Sequence, residues 1–160
     1  MISKISPNVS QLYFDTFGSV VYVLKLEKNI LIDTSSKDNR EELIKDLNEL
    51  KLKPESIDIV ILTHSHWDHN GNLSIFKNAK IITNENLFDL PSIIKPIKTP
   101  GHTKDSLCFL YKDILFSGDT IFHEDGRGRT DLEGGNEKQI QESIKKLKTL
   151  KYNILCPGHI

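Results

Sequence analysis

Thr63-His64-Ser65-His66-Trp67-Asp68-His69-Asn70-Gly71 gathers three histidines and one aspartate into nine residues of a 160-residue chain that has six histidines in all. All four side chains can donate to a divalent metal. Directly before them, Ile57-Asp58-Ile59-Val60-Ile61-Leu62 is a β-branched run that reads as a buried strand. Directly after, Asn70-Gly71-Asn72 leads into Leu73, Ile75 and Phe76. The donors therefore lie on the turn leaving a strand, where rigid structure can aim several side chains at one point. Their spacing, His64-x-His66-x-Asp68-His69, is not the i, i+4 pattern of helical zinc proteases, so a loop is expected to carry them.

A lone histidine is ordinarily a surface or core residue, and Asp-His pairs arise in turns without any metal. Here partners recur downstream, each behind a glycine: His102 in Pro100-Gly101-His102-Thr103, Asp119 in Ser117-Gly118-Asp119-Thr120, and His159 in Pro157-Gly158-His159. A glycine at the edge of an apolar run lets the backbone turn tightly beside a site. Five of the six histidines fall in this set. Seven donors, five imidazoles and two carboxylates, exceed the four that one zinc ion takes. Donor types leave the metal open, because zinc, iron and manganese all accept these ligands.

In this order the motifs resemble the metallo-β-lactamase superfamily over about residues 10–160, and the chain is most similar to its glyoxalase II-like hydrolases. A Gly-Arg-Thr-Asp element within Gly126-Arg127-Gly128-Arg129-Thr130-Asp131-Leu132-Glu133-Gly134-Gly135 carries the subfamily likeness. The resemblance implies an α/β fold, an αββα sandwich of two mixed β-sheets flanked by helices. It also implies two divalent ions, zinc foremost, with iron or manganese as alternatives. His64, His66 and His102 would hold one ion, Asp68, His69 and His159 the other, and Asp119 would bridge them. Asp68 and Asp119 are then the catalytic carboxylates, and a hydroxide shared by the metals is the nucleophile. Asp33, ending the run Ile32-Asp33-Thr34, would support the ligand loop from behind; its bland reading is a turn former or helix cap.

The implied reaction is hydrolysis of a thioester or related ester. Asp119 argues against a β-lactam hydrolase, since the related enzymes of that kind usually lack this carboxylate. One alternative is a persulfide dioxygenase, which shares the Gly-Arg-Thr-Asp element and holds a single iron with residues matching His64, His102 and Asp119. A nuclease or phosphodiesterase, and a metal-binding protein without catalysis, are the remaining alternatives. Glyoxalase II continues into a helical part that grips glutathione, whereas this sequence stops at Ile160. An open site acting on several small thioesters, with little preference for glutathione, is therefore expected, and a homodimer is the arrangement that could cover it.

The remaining sequence is consistent with one domain over residues 1–160. A net charge of −1 suggests neither a nucleic acid nor a membrane surface as partner, so a small-molecule substrate is expected. There is no run of 18 apolar residues and no apolar leader after Met1, which makes cytoplasmic the default. Two cysteines, Cys108 and Cys156, form no disulfide framework. Cys108 reads as core, and Cys156 as core or as a neighbour of the metal.

Strands are expected over residues 9–14, 20–26, 29–33, 79–83, 97–99, 106–111, 114–116 and 153–156, with 84–96 irregular. Residues 29–34 and 113–120 are weakly alike, as two similar halves would be. Helical spacing of Leu43, Ile44, Leu47 and Leu50 predicts a helix over 38–51, and residues 72–78 suggest a short second one. Asn136, with Gln139 three residues on, opens a helix whose buried face is Ile140, Ile144, Leu147 and Leu150. The lysines near its end suit a solvated face and the helix dipole. In the polar loop over 121–135, His123 reads as a solvent-facing residue. Arg127 and Arg129 either touch substrate or brace the loop.

Overall fold

Apolar β-branched runs separated by short turns favour strands that pair with their sequence neighbours. The computed structural model describes residues 1–160, which divide into two compact units, Met1–Ile82 and Thr83–Ile160. In the first unit, β1 (Ile2–Ser6), β2 (Val9–Leu12), β3 (Val21–Lys25) and β4 (Asn29–Ile32) are successive antiparallel neighbours. β5 (Ile59–Ile61) and β6 (Lys80–Ile82) add in parallel and complete a six-stranded mixed sheet in sequence order. β1 is absent from the expected strands, because Ile2-Ser3-Lys4-Ile5-Ser6 carries no clear pattern. Its pairing, with Ile2 opposite Leu12, makes it a strand.

A parallel neighbour requires a crossover, and α1 (Arg40–Glu49) provides it between β4 and β5. Glu41 and Glu42 occupy its first turn, where the helix dipole favours negative charge. Leu43 and Leu47, one turn apart, are fully buried, each stabilising by about 1.5–3 kcal/mol. They pack with Val23, Leu31 and Val60, which stand in register across β3, β4 and β5. The alternate residues Tyr22, Leu24, Ile30, Ile32, Ile59 and Ile61 are buried as well. Burial on both faces explains why these strands read as continuous apolar runs. The helix ends with Lys51 in the left-handed region (φ 59°), while the Leu52 N–H reaches back to Leu47 O at 2.9 Å.

Past β5 the donor stretch departs from the expected loop. Its second half is a single helical turn, α2 (Trp67–Asn70), with His66 as the extended residue before it. The helix suggested for residues 72–78 shrinks to one 3-10 turn, Leu73–Ile75.

In the second unit, β7 (Ile94–Lys98), β8 (Leu107–Tyr111) and β9 (Ile114–Gly118) form an antiparallel meander. α3 (Glu137–Lys148) leads to β10 (Ile154–Pro157), which pairs in parallel with β9. The result is a four-stranded mixed sheet in the order β10-β9-β8-β7. β7 begins inside the segment expected to be irregular. Pro96 does not prevent this, because an edge strand can spare one N–H from the ladder. Asn136 caps α3 through its side chain, accepting from the Gln139 N–H at 3.0 Å. Ile140 and Leu147 are buried as expected, but Ser143 takes the third buried place while Ile144 is half-buried. Ser143 Oγ donates to Pro100 O at 2.7 Å and so stays satisfied. No helix is long and apolar enough to cross a membrane.

Both units run an antiparallel hairpin, a helix and a parallel strand: β3-β4-α1-β5 and β8-β9-α3-β10. The weakly similar segments 29–34 and 113–120 fall on the equivalent strands β4 and β9. Asp33 and Asp119 each follow directly behind one of them.

Candidate metal centre

In the first unit Asp33 organises the donors. It sits one residue past β4 at φ 59°, a conformation that aspartate tolerates better than most residues, and it is 2% exposed. Its Oδ1 accepts the Thr63 N–H at 2.8 Å, and its Oδ2 accepts the Thr63 hydroxyl at 2.8 Å. The same Oδ2 lies 2.8 Å from His69 Nδ1, so that nitrogen donates and Nε2 is the ring nitrogen left to face a metal. With its own proton given to Asp33, Thr63 Oγ1 can only accept from His64 Nδ1, 3.1 Å away. His64 Nε2 is thereby also left as a lone-pair donor. That nitrogen lies 3.0 Å from His66 Nδ1, and the rings of His64 and His69 stand 4.0 Å apart. His69 Nε2 is 3.9 Å from Asp68 Oδ2. His64, Asp68 and His69 are buried, and His66 is half-buried.

The segment after Asp33 stitches this stretch in place. The Thr34 N–H donates to His69 O at 2.7 Å, the Gly71 N–H donates to Ser35 O at 3.0 Å, and the Ser19 N–H donates to Asp68 O at 2.8 Å. Asn72 Nδ2 reaches Thr34 O and Ser36 O at 2.8 and 2.6 Å. A Cβ at Gly71 would meet Lys37 N, Ser35 O and Trp67 O at 2.7–2.8 Å. Thr34, Asn72 and Ser19 escape sequence reasoning, because their partners are common backbone groups with no motif of their own.

In the second unit Asp119 is the focus. Its Oδ2 is 3.4 Å from His102 Nε2 and 3.4 Å from His159 Nε2. His102 Nδ1 donates to Arg129 O at 2.7 Å, which leaves Nε2 as the ring nitrogen that faces the carboxylate. Gly101, at φ 142°, permits the turn that delivers His102, and a Cβ there would run into the backbone of Ile140. The Gly158 N–H donates to Gly118 O at 2.8 Å, which ties the turn of His159 to that of Asp119. Phe122 meets the His159 ring edge-on at 6.0 Å. Gly128 donates its N–H to Asp119 O at 2.9 Å, and a Cβ there would press on the His102 ring at 2.8–2.9 Å.

These donors fit a divalent cation. An imidazole lone pair aimed at a carboxylate oxygen is repulsive unless a cation or a proton lies there. Two ligands held at about 2.0–2.1 Å by one tetrahedral zinc ion stand roughly 3.3–3.4 Å apart, and the observed separations from Asp119 Oδ2 are 3.4 Å.

His123 is exposed in a turn closed by the Gly126 N–H donating to its carbonyl at 3.0 Å. Arg129 grips Asp131 through two bonds of 2.7 and 2.6 Å, and Arg127 donates to Glu137 at 2.7 Å. Hydrogen bonds from these guanidiniums hold the Asp131 and Glu137 carboxyls down at about 2. These contacts tie Arg129 within the loop and Arg127 to the start of α3. Cys108 and Cys156 are buried and form no disulfide, and burial pushes the Cys108 thiol up to about 11.

The family model described as the metallo-beta-lactamase superfamily matches residues 14–86 and 81–159. A protein of Methanocaldococcus jannaschii described as a probable metallo-hydrolase is 38% identical over 143 residues, covering 81% of this chain and 70% of that protein. Hydroxyacylglutathione hydrolase of Hydrogenovibrio crunogenus is 33% identical over 113 residues, 59% of this chain and 41% of that enzyme. A crystal structure of a metallo-beta-lactamase family protein from Thermus thermophilus matches with a TM-score of 0.81 at 17% identity, covering 98% of this chain and 75% of its own, a likeness of fold.

Proposed function

Because this chain belongs to the metallo-β-lactamase superfamily and is a relative of glyoxalase II at moderate identity, we propose that it hydrolyses thioesters or related esters with two divalent ions, zinc foremost. The observation that carries this reading is Asp119 Oδ2, set 3.4 Å from each of two imidazole nitrogens, where a carboxylate can serve two cations. His64, His66 and His102 would hold one ion, and Asp68, His69 and His159 the other, with Asp119 shared. When bound, such a pair lowers the pKa of water and polarises a carbonyl oxygen.

The chain's own groups do the rest. Asp33 and Thr63 hold His69 and His64 in the tautomers that expose Nε2, and the Arg129 carbonyl does the same for His102. The Asp68 carboxylate takes the proton that water loses as its oxygen bonds to the acyl carbon. It returns that proton to the departing sulfur or oxygen as the acyl bond breaks, so the products are a carboxylic acid and a thiol or alcohol.

Elemental analysis of protein purified without added metal, alongside an assay on a simple acyl thioester, tests the proposal. Close to two metals per chain is expected, with turnover lost on chelation and restored by zinc. One iron per chain, with dioxygen consumed on a persulfide and no thioester turnover, would replace the hydrolase with the iron dioxygenase.

A further inference from the structure

Buried hydroxyl and thiol groups in the second unit form a hydrogen-bonded chain that runs in one direction. The Thr120 hydroxyl donates to Thr99 Oγ1 at 3.0 Å. Cys108 commits its one thiol hydrogen to Ser117 O at 3.3 Å. The Thr99 hydroxyl, 3.3 Å from that sulfur, is therefore the donor of this pair, and the sulfur accepts. Thr99, Cys108, Ser117 and Thr120 are each exposed by 1% or less, and Cys108 otherwise packs with Leu115 and Leu147.

The chain joins the turns of two candidate ligands. Thr99 directly follows β7 and begins the turn Thr99-Pro100-Gly101-His102, while Ser117 and Thr120 stand on either side of Asp119. Two further bonds enclose Asp119: the Thr120 N–H donates to Ser117 O at 3.0 Å, and Ser117 Oγ donates to Ile121 O at 2.7 Å. The Thr99 N–H is fixed in its own right, donating to Ser106 O at 2.9 Å. Apolar side chains of the same shape would fill this space with no polar group to satisfy, so stability alone does not require the chain. Hydrogen bonds add fixed lengths and directions, which apolar contacts lack.

We propose that Thr120, Thr99 and Cys108 are positioning residues of the metal centre. Their chain locks the Asp119 turn to the His102 turn and so sets the 3.4 Å separation of Asp119 Oδ2 from His102 Nε2. Asp33 and Thr63 hold donors of the first unit in a comparable way. The proposal rests on the reading that these donors bind divalent ions.

Thr120 heads the chain as a donor. Thr120→Val therefore removes one bond, keeps the shape and leaves no hydrogen of the chain without an acceptor. The full chain, freed of metal, is titrated with zinc and with cobalt(II) against a chelator. Affinity is expected to fall by about 10–100-fold in Thr120→Val, and the cobalt absorption bands, which report ligand geometry, to shift. Urea unfolding of the metal-free protein should change little. Thr120→Ser, which returns the hydroxyl, should recover the wild-type affinity and bands. Wild-type affinity and bands in Thr120→Val would overturn the proposal and leave the metal centre standing. Weakened binding that Thr120→Ser does not recover, or that accompanies unfolding of the metal-free Thr120→Val protein, would make the chain merely structural and overturn it as well. Wild-type protein that takes up neither ion would remove the metal centre itself.

Discussion

Asp33 uses both carboxylate oxygens on one neighbourhood, holding the Thr63 backbone and hydroxyl together with His69 Nδ1. Asp33→Ala should therefore lower metal affinity by about 10–100-fold, the usual cost of losing a group that orients a ligand. Competition against a chromophoric chelator measures it, with His123→Ala as the matched control in which metal content stays unchanged. Asp119→Ala removes the carboxylate on which His102 and His159 converge. It should lose nearly all hydrolysis and most of the paired metal, and wild-type turnover with two metals retained would show that Asp119 is not shared. Cys108 offers a test without metal. Its thiol is raised by burial from 9.0 to about 11, so the neutral form is favoured in the folded state. That contribution to stability is complete below about pH 9 and is lost as pH rises towards 11. At pH 8 a thiol reagent should label Cys108 only when the chain unfolds, and prompt labelling of folded protein would contradict the burial.

The elements differ in what holds them. α1 depends on its apolar stripe: Leu47 is fully buried and packs with β3, β4 and β5 residues. Leu47→Ala should cost about 2–5 kcal/mol in urea unfolding, the range for emptying a well-packed leucine site. α3 relies in part on its first turn, where Asn136 Oδ1 satisfies the Gln139 N–H. Asn136→Ala should cost about 0.5–2 kcal/mol by the same measurement. Helical spacing makes both helices readable, whereas edge strands are less so. β1 carries no clear pattern, and β7 contains Pro96. Their identity as strands comes from pairing with β2 and β8, a partner choice that local composition does not encode. α2 is hidden for another reason. A single turn has too few residues to show a period, and backbone bonds from His69 and Asn70 to His66 O define it.

For the molecule as a whole, ions bound by the folded donors and not by the unfolded chain should raise the melting temperature. At a free metal concentration of 100 times Kd the gain is about 2.7 kcal/mol, or roughly 5–10 °C for a protein of this size. Calorimetry with zinc and with a chelator measures it, and identical melting in both would argue against metal binding by these residues. The order of the seven candidate donors and the glycine turns before His102, Asp119 and His159 could be read from the sequence, because each such turn is local, whereas the helical turn under Asp68 and His69 could not. The nitrogen that each imidazole offers could not be. For His69 it depends on Asp33, 36 residues earlier, and for His102 on the carbonyl of Arg129, 27 residues later. The pairing of Phe17 with Trp67 likewise joins segments far apart in the chain. Periodicity and turn chemistry act over a few residues, while tautomers and ring contacts are set by groups that only the folded chain brings within hydrogen-bonding or van der Waals reach.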